Sequence, residues 1–241
     1  MLHPQQRTPW RRVEIAEREL KIFRFLLEMR FATAEQLWRR FYKNGGDYKT
    51  AVYPWKWVEK RLRKLKWAGF IQTAQSHSYP HQFYLATYRA KSWLERQGIA
   101  CPGLSILNGI DFKTFEHDMV LVDLRLILEP KGFAWYSDRE LKSTLKSGPI
   151  PDAVAVQGES RFAIEAELSQ KRRDRYIALF QEYSASTWFR VLYFTASRSL
   201  ADYLLTIAGD LLAAKIFFGI MPAKTGEPIV LKNYQEKEFS L

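Results

Sequence analysis

From Val13 to Met29 apolar residues recur at helical spacing, with Ile15, Ile22, Leu26 and Met29 on one stripe and charges between them. Thr33, followed by Gln36 three residues later, matches a capping box and predicts a second, short helix from Ala34 to about Phe41. Asn44-Gly-Gly-Asp47 reads as a turn. Pro54 opens a third helix, Trp55 to about Ala68, with Val58, Leu62 and Leu65 facing inward and Gly69 as its stop. Its outer face carries Lys56, Lys60, Arg61, Arg63, Lys64 and Lys66. Two strand-like runs follow, Phe70–Ala74 and His81–Leu85, around a polar turn containing Pro80, and Thr87 then caps a helix ending near Gly98.

Residues 99–109, with Pro102, Gly103 and Gly109, read as a linker. Beyond it a helix is expected from Ile110 to Leu128, striped by Phe115, Met119, Val122 and Leu126 and ended by Pro130-Lys-Gly132. A short strand near Phe133–Trp135 precedes the charged segment Asp138–Lys142. Strands follow at Ile150–Val156 and Arg161–Leu168, joined as a hairpin through Gly158. Then come a helix from Lys171 to Tyr183, a strand Arg190–Thr195, a helix capped by Ser199 through Leu212, and a final strand Lys215–Ile220. The fold class expected is α+β, with a mixed α/β sheet in the second half. Three helices and a two-stranded hairpin in the first half form the winged helix-turn-helix arrangement, whose third helix enters the major groove.

Charge divides the chain in the same place. Residues 1–98 hold 20 Lys+Arg against 8 Asp+Glu, whereas residues 99–241 hold 17 against 18, so the whole excess of the +11 chain lies in its first part. A domain that basic attracts a polyanion, with nucleic acid ahead of an anionic membrane surface. The expected division is residues 1–98 for DNA binding, a linker over 99–109, and a second domain over 110–241. Lys56, Lys60, Arg61, Lys64 and Lys66 are the candidate DNA contacts. His77 and His81 read as loop residues or phosphate contacts, and Trp55 and Trp57 as packing residues. The single cysteine, Cys101, excludes an intrachain disulfide and a Cys-based zinc finger and fits a reducing cytoplasm. The most apolar stretch, Tyr203–Met221, is broken by Asp210 and Lys215, so no membrane insertion is expected.

The second half carries the candidate chemistry. Pro151-Asp152 leads into the apolar Ala153–Val156, and the next strand carries Glu165 and Glu167 on one face. Carboxylates inside a sheet cost several kcal/mol unless something positive compensates them. Three acids at one sheet edge with Lys171 just beyond suit Mg2+ or Mn2+, hard cations that share their shell with phosphate. The competing reading makes Asp152 a turn acid paired with an Arg, and Glu165 and Glu167 partners of Arg172, Arg173 or Arg175. His117 reads as hydrogen-bonded within the core of its helix.

Pro151-Asp152 … Glu165-Ala166-Glu167, in this order of elements, is similar to the PD-(D/E)xK restriction-endonuclease-like superfamily. That resemblance implies that Asp152 and Glu165 bind the metal with the backbone carbonyl of Ala166. The last motif position, usually Lys, is Glu167 here, and Lys171 would bring its ammonium to the same place. The basic first half supports a wider likeness. Leu62-Arg-Lys-Leu-Lys-Trp-Ala-Gly-Phe-Ile71 resembles the helix-to-wing passage of winged-helix domains. Together with Phe115-Glu-His-Asp118, Asp138-Arg139-Glu140 and the run Ala163–Ser169 … Arg175-Tyr176, it makes the whole chain resemble the replication-relaxation family, and within it the MobC-type plasmid relaxases. The resemblance implies catalysis by Asp152, Glu165, Glu167 and Lys171, binding of double-stranded DNA at a plasmid transfer origin, nicking of one strand to start conjugative mobilisation, and accessory mobilisation proteins as partners. Tyr176 is a lesser candidate for a nucleophile. The alternative function is a non-catalytic DNA-binding replication accessory or repressor with an inactive endonuclease-like domain, which the glutamate at the lysine position favours.

Overall fold

The computed structural model describes residues 13–43, 54–76, 79–222 and 228–241; the turn read at Asn44–Asp47 and His77 lie outside them. The chain is mixed α+β, with eight α-helices and two sheets among the described residues. It divides into two compact units, Met1–Phe115 and Glu116–Leu241. No helix among the described residues is long and apolar enough to cross a membrane.

The first unit runs α1 (Glu17–Glu28), β1 (Ala32–Thr33), α2 (Ala34–Phe41), α3 (Trp55–Trp67), β2 (Ile71–Ser76), β3 (Tyr79–Ala86) and α4 (Tyr88–Arg96). Its three strands lie in the order β1-β3-β2, all antiparallel. Local chemistry sets several boundaries. Gln36 N–H donates to Thr33 Oγ1 at 3.1 Å while Thr33 N–H donates to Gln36 Oε1 at 3.0 Å, the reciprocal cap that starts α2. Gly69, at φ +76°, ends α3 where a Cβ would be strained. Ile22, Leu26, Leu37, Leu62, Leu65 and Phe83 are all buried, so the apolar stripes of α1, α2 and α3 meet over the sheet. Pro80 sits within β3, at its exposed end, where the missing N–H costs the ladder little. Thr87 precedes α4, yet its hydroxyl turns to the Gly69 and Phe70 carbonyls, at 2.6 and 2.9 Å, tying the helix start back to the end of α3.

The segment read as a linker belongs to this first unit. Arg24 Nη1 donates to the Ala100 carbonyl at 2.8 Å, Gln72 Nε2 donates to the Leu107 carbonyl at 2.7 Å, and Cys101 and Leu104 are buried.

The second unit holds all but the first residue of α5 (Phe115–Leu128), which starts five residues later than Ile110, then β4 (Ala134–Ser137) and α6 (Asp138–Thr144). The charged segment Asp138–Lys142 is therefore a helix: Ser137 and Glu140 close a capping box at its start. There follow β5 (Ala153–Gln157), β6 (Ser160–Glu167), α7 (Arg173–Ala185), β7 (Arg190–Thr195), α8 (Arg198–Asp210), β8 (Ile216–Ile220), β9 (Val230–Lys232) and β10 (Glu238–Ser240). The cap of α8 is Ser197, whose Oγ accepts from Leu200 N–H, and not Ser199. The sheet does not end at β8: two short strands, β9 and β10, add an antiparallel edge. The strand order is β10-β9-β8-β7-β6-β5-β4, with β6, β7 and β8 parallel and the remaining neighbours antiparallel. Helices α7 and α8 make the crossovers between the parallel strands, as parallel pairing requires. They cover one face through Tyr176, Phe180, Tyr183, Leu204 and Ile207, packed on Ala163, Val191, Tyr193 and Phe218.

Candidate functional site

The β5–β6 hairpin brings two of the sequence-selected acids together. Ala153 pairs with Ile164, so Asp152 and Glu165, one position further out on each strand, meet at the same end. Asp152 Oδ2 accepts the Ala166 amide at 2.9 Å and lies 2.9 Å from His117 Nε2. Glu165 accepts a hydrogen bond from the Tyr183 hydroxyl on α7. Burial first, then the charge on Asp152 and the hydrogen bond between the two carboxyls, holds Glu165 well above the usual carboxylate range, with Tyr183 and Lys171 pulling the other way. Two carboxyls pressed together in this way need a proton or a cation between them.

The sequence suggests that His117 bonds within its own helix. It meets Asp118 on its own helix and also reaches across to Asp152. Burial alone would push its ring toward neutrality, but hydrogen bonds to Asp118 and Asp152 raise it to about 10, so an imidazolium faces Asp152. This partner is 35 positions distant in the chain, and no local spacing announces it. Tyr183, 18 positions from Glu165, is equally silent in sequence.

Glu167 does not join the other two acids. Its carboxylate is buried and accepts from Lys171 Nζ at 2.7 Å, while Arg172 and Arg173 pair with Asp174 and Asp210. The Arg partners considered for Glu165 and Glu167 are therefore absent from them among the described residues. Lys171 is held from both ends, since its own N–H donates to the Tyr176 hydroxyl at 2.9 Å. Tyr176 is 1% exposed and braces this loop, and burial raises its phenol to about 12, so it is poorly placed as a nucleophile. The register partner of Glu165 on β7 is Tyr193, whose buried hydroxyl has no hydrogen-bond partner among the described residues.

The donors that suit a hard divalent cation are thus the adjacent oxygens of Asp152 and Glu165. Their crowding, which with burial holds Glu165 well above the usual carboxylate range, is what a cation would relieve. Among the described residues no group of three or more His, Cys, Asp or Glu is arranged to hold a metal ion, so water and substrate oxygens would have to complete such a shell, as Mg2+ commonly permits.

On α3 of the first unit, Lys56, Lys60, Arg63, Lys64 and Lys66 are exposed, opposite the buried Val58, Leu62 and Leu65. Trp57, expected in packing, is 53% exposed, and the Lys60 ammonium stands 4.5 Å from its ring centroid. Arg61 is turned inward: Nε donates to Glu19 Oε1 at 2.9 Å and Nη2 to the Glu14 carbonyl at 2.5 Å, so it fastens α3 to the start of α1. Lys66 Nζ donates to Thr73 Oγ1 at 2.6 Å on β2. His81 is exposed on β3, its ring 5.8 Å from that of Tyr79. No protein-family model, no curated protein and no solved structure matches this chain.

Proposed function

We propose that the chain is a cytoplasmic DNA-processing protein in which a winged helix-turn-helix unit binds the duplex and an endonuclease-like unit nicks one strand, as a relaxase acting at a plasmid transfer origin with accessory mobilisation proteins. The observation that carries the reading is the meeting of Asp152 and Glu165 at the open end of β5 and β6, with the Lys171 ammonium held nearby at Glu167. The helix–strand order of the first unit and the lysines on the outer face of α3 support the DNA-binding half.

Asp152 and Glu165 would hold Mg2+ or Mn2+, which supplies Lewis-acid polarisation of the scissile phosphate. His117 and the Ala166 amide fix the rotamer of Asp152, and Tyr183 fixes that of Glu165, so the pair is oriented before substrate arrives. Lys171 presents a positive charge toward the phosphate as negative charge develops on it. Glu167, standing where related motifs carry lysine, aims that ammonium. The decisive experiment is nicking of supercoiled plasmid with and without divalent metal. Metal-dependent conversion to the open circle is expected, and its loss in both Asp152→Ala and Glu165→Ala. Retained nicking in both would remove the site.

One observation favours a second reading, a DNA-binding protein without cleavage: each acid already has an internal partner, Lys171 for Glu167, His117 for Asp152 and Tyr183 for Glu165. Duplex binding with no nicking under any divalent metal would select it.

A further inference from the structure

The second unit has a groove whose two walls both lead to the paired carboxylates. One wall is the loop 145–149, which runs on through Ile150 and Pro151 into Asp152. The other is the last turn of α7, where Glu182 borders the groove and its neighbour Tyr183 holds Glu165. The cavity is about 630 Å³ and is lined by Ser147, Gly148, Arg161, Glu182, Ser186 and Trp188, among others. One cation and one acid leave that lining close to neutral. It therefore has little pull on a phosphate by itself. What it offers is a cation over an aromatic ring: the exposed Arg161 guanidinium stands 5.2 Å above the centroid of Trp188, which packs against the core of the unit. The backbone that carries this pair is held rigidly, because Phe189 N–H donates to the Arg161 carbonyl at 3.0 Å and Lys215 Nζ donates to the Ser186 carbonyl at 2.6 Å. The rim at Gly148 is open, with nothing within 4 Å of where a Cβ would stand.

We infer that this groove takes an unpaired nucleobase of single-stranded DNA, stacked on the Trp188–Arg161 surface, from the strand whose phosphate lies at Asp152 and Glu165. The inference rests on the DNA-processing reading above and adds the form of the substrate. Three features select a base over other occupants. A guanidinium plane carried on an indole stacks on any base, because every base has a π-face. The Glu182 carboxylate and the Ser147 hydroxyl give a hydrogen-bonding rim suited to base edges. The distance also fits: Arg161 precedes Glu165 by four positions on the same face of β6, about 13 Å of strand rise. This lies within reach of the nucleotides that flank a phosphate held at Glu165. A paired base has both faces stacked in the duplex, so the groove requires the strand to be open there.

The test measures binding of the full-length chain to a fluorescein-labelled single-stranded dT15 and to a labelled 20-base-pair duplex at low salt. Loss of one base–aromatic stack should weaken dT15 binding roughly tenfold or more in Trp188→Ala. Trp188→Phe should retain most of the affinity, and Arg161→Gln, at an exposed position, should show an intermediate loss. Duplex affinity should stay unchanged in all three. Wild-type dT15 affinity in both Trp188→Ala and Arg161→Gln overturns the groove while leaving the DNA-binding reading intact. Equal loss of duplex and dT15 binding in the folded Arg161→Gln variant also overturns it. A wild-type chain that binds neither DNA overturns the DNA reading and the groove together.

Discussion

Glu165 combines two demands that sequence alone could only set side by side: it is a strand residue facing a core, and it carries a carboxyl. The structure sets it beside the Tyr183 hydroxyl and a neighbouring carboxyl, and burial holds it well above the usual carboxylate range. Glu165→Gln removes a carboxyl crowded against Asp152 and keeps an acceptor for the Tyr183 hydroxyl, whereas Asp152→Asn also takes away the anion that faces the His117 ring. Glu165→Gln should therefore melt at or slightly above the wild-type temperature and Asp152→Asn slightly below it, and both should lose nicking. A fall of many degrees in either variant would make these acids structural. Lys171 calls for a different substitution. Alanine there would leave the buried Glu167 carboxylate without its donor, at about 1–3 kcal/mol, and mix stability with rate. Lys171→Gln keeps a donor for Glu167 and removes the charge. It should cut the single-turnover nicking rate by roughly 10²–10³ with the melting temperature nearly unchanged. A wild-type rate in Lys171→Gln would sink the displaced-lysine role. Tyr193→Phe removes a buried hydroxyl that has no hydrogen-bond partner among the described residues, so thermal melting should show it equal to or more stable than wild type.

At the scale of elements, what could be read in the sequence is what depends on neighbours within one turn. Thr33 and Gln36 announce α2 because a capping box closes within four residues. Val58, Leu62 and Leu65 announce the inner face of α3 because helical period and burial coincide. The β5–β6 hairpin, and with it the meeting of Asp152 and Glu165, is legible from Gly158 and two flanking apolar runs. The capping box of Ser137 and Glu140 is equally local, but the charge of Asp138–Lys142 masks it. Contacts that close across the fold leave no such mark: His117 with Asp152, Tyr183 with Glu165, and Arg61 drawn inward by Glu19. The sheet edge beyond β8 is likewise hidden, because β9 and β10 are three residues each. Gly219 shows how tightly that edge is built. A Cβ there would lie 2.9 Å from the Val230 carbonyl oxygen and 3.0 Å from Leu231 Cγ, whereas one at Gly209, within α8, would make ordinary contact with Tyr234 at 3.6 Å. Gly219→Ala should thus destabilise by about 1–3 kcal/mol through overpacking. Gly209→Ala should stabilise by about 0.5–1 kcal/mol, as alanine does within a helix. Denaturant melts with unchanged m-values check both, and the reverse order would contradict the packing of β9 on β8.

Over the whole molecule, charge and chemistry are kept apart. The excess of basic residues lies in the first 98 positions, and the paired carboxyls lie in a unit whose charges nearly balance. Affinity for a duplex and cleavage of it should therefore respond to different substitutions. Each phosphate of B-form DNA that a protein no longer neutralises lowers the slope of log K against log salt by about 0.9. The lysines to test are those on the outer face of α3. Arg61 is excluded because its guanidinium holds Glu19 and the Glu14 carbonyl, and its loss would loosen α1 from α3 rather than report on DNA. Changing Lys56, Lys60 and Lys64 together to Gln should weaken duplex binding and reduce the salt slope by up to about three, with the melting temperature preserved because all three side chains are exposed. Asp152→Asn should do the opposite, keeping the affinity and slope of the wild type while abolishing nicking. A salt slope unchanged in the triple variant would mean that α3 does not face DNA. In that case the basic excess would have to act through another surface of the first unit.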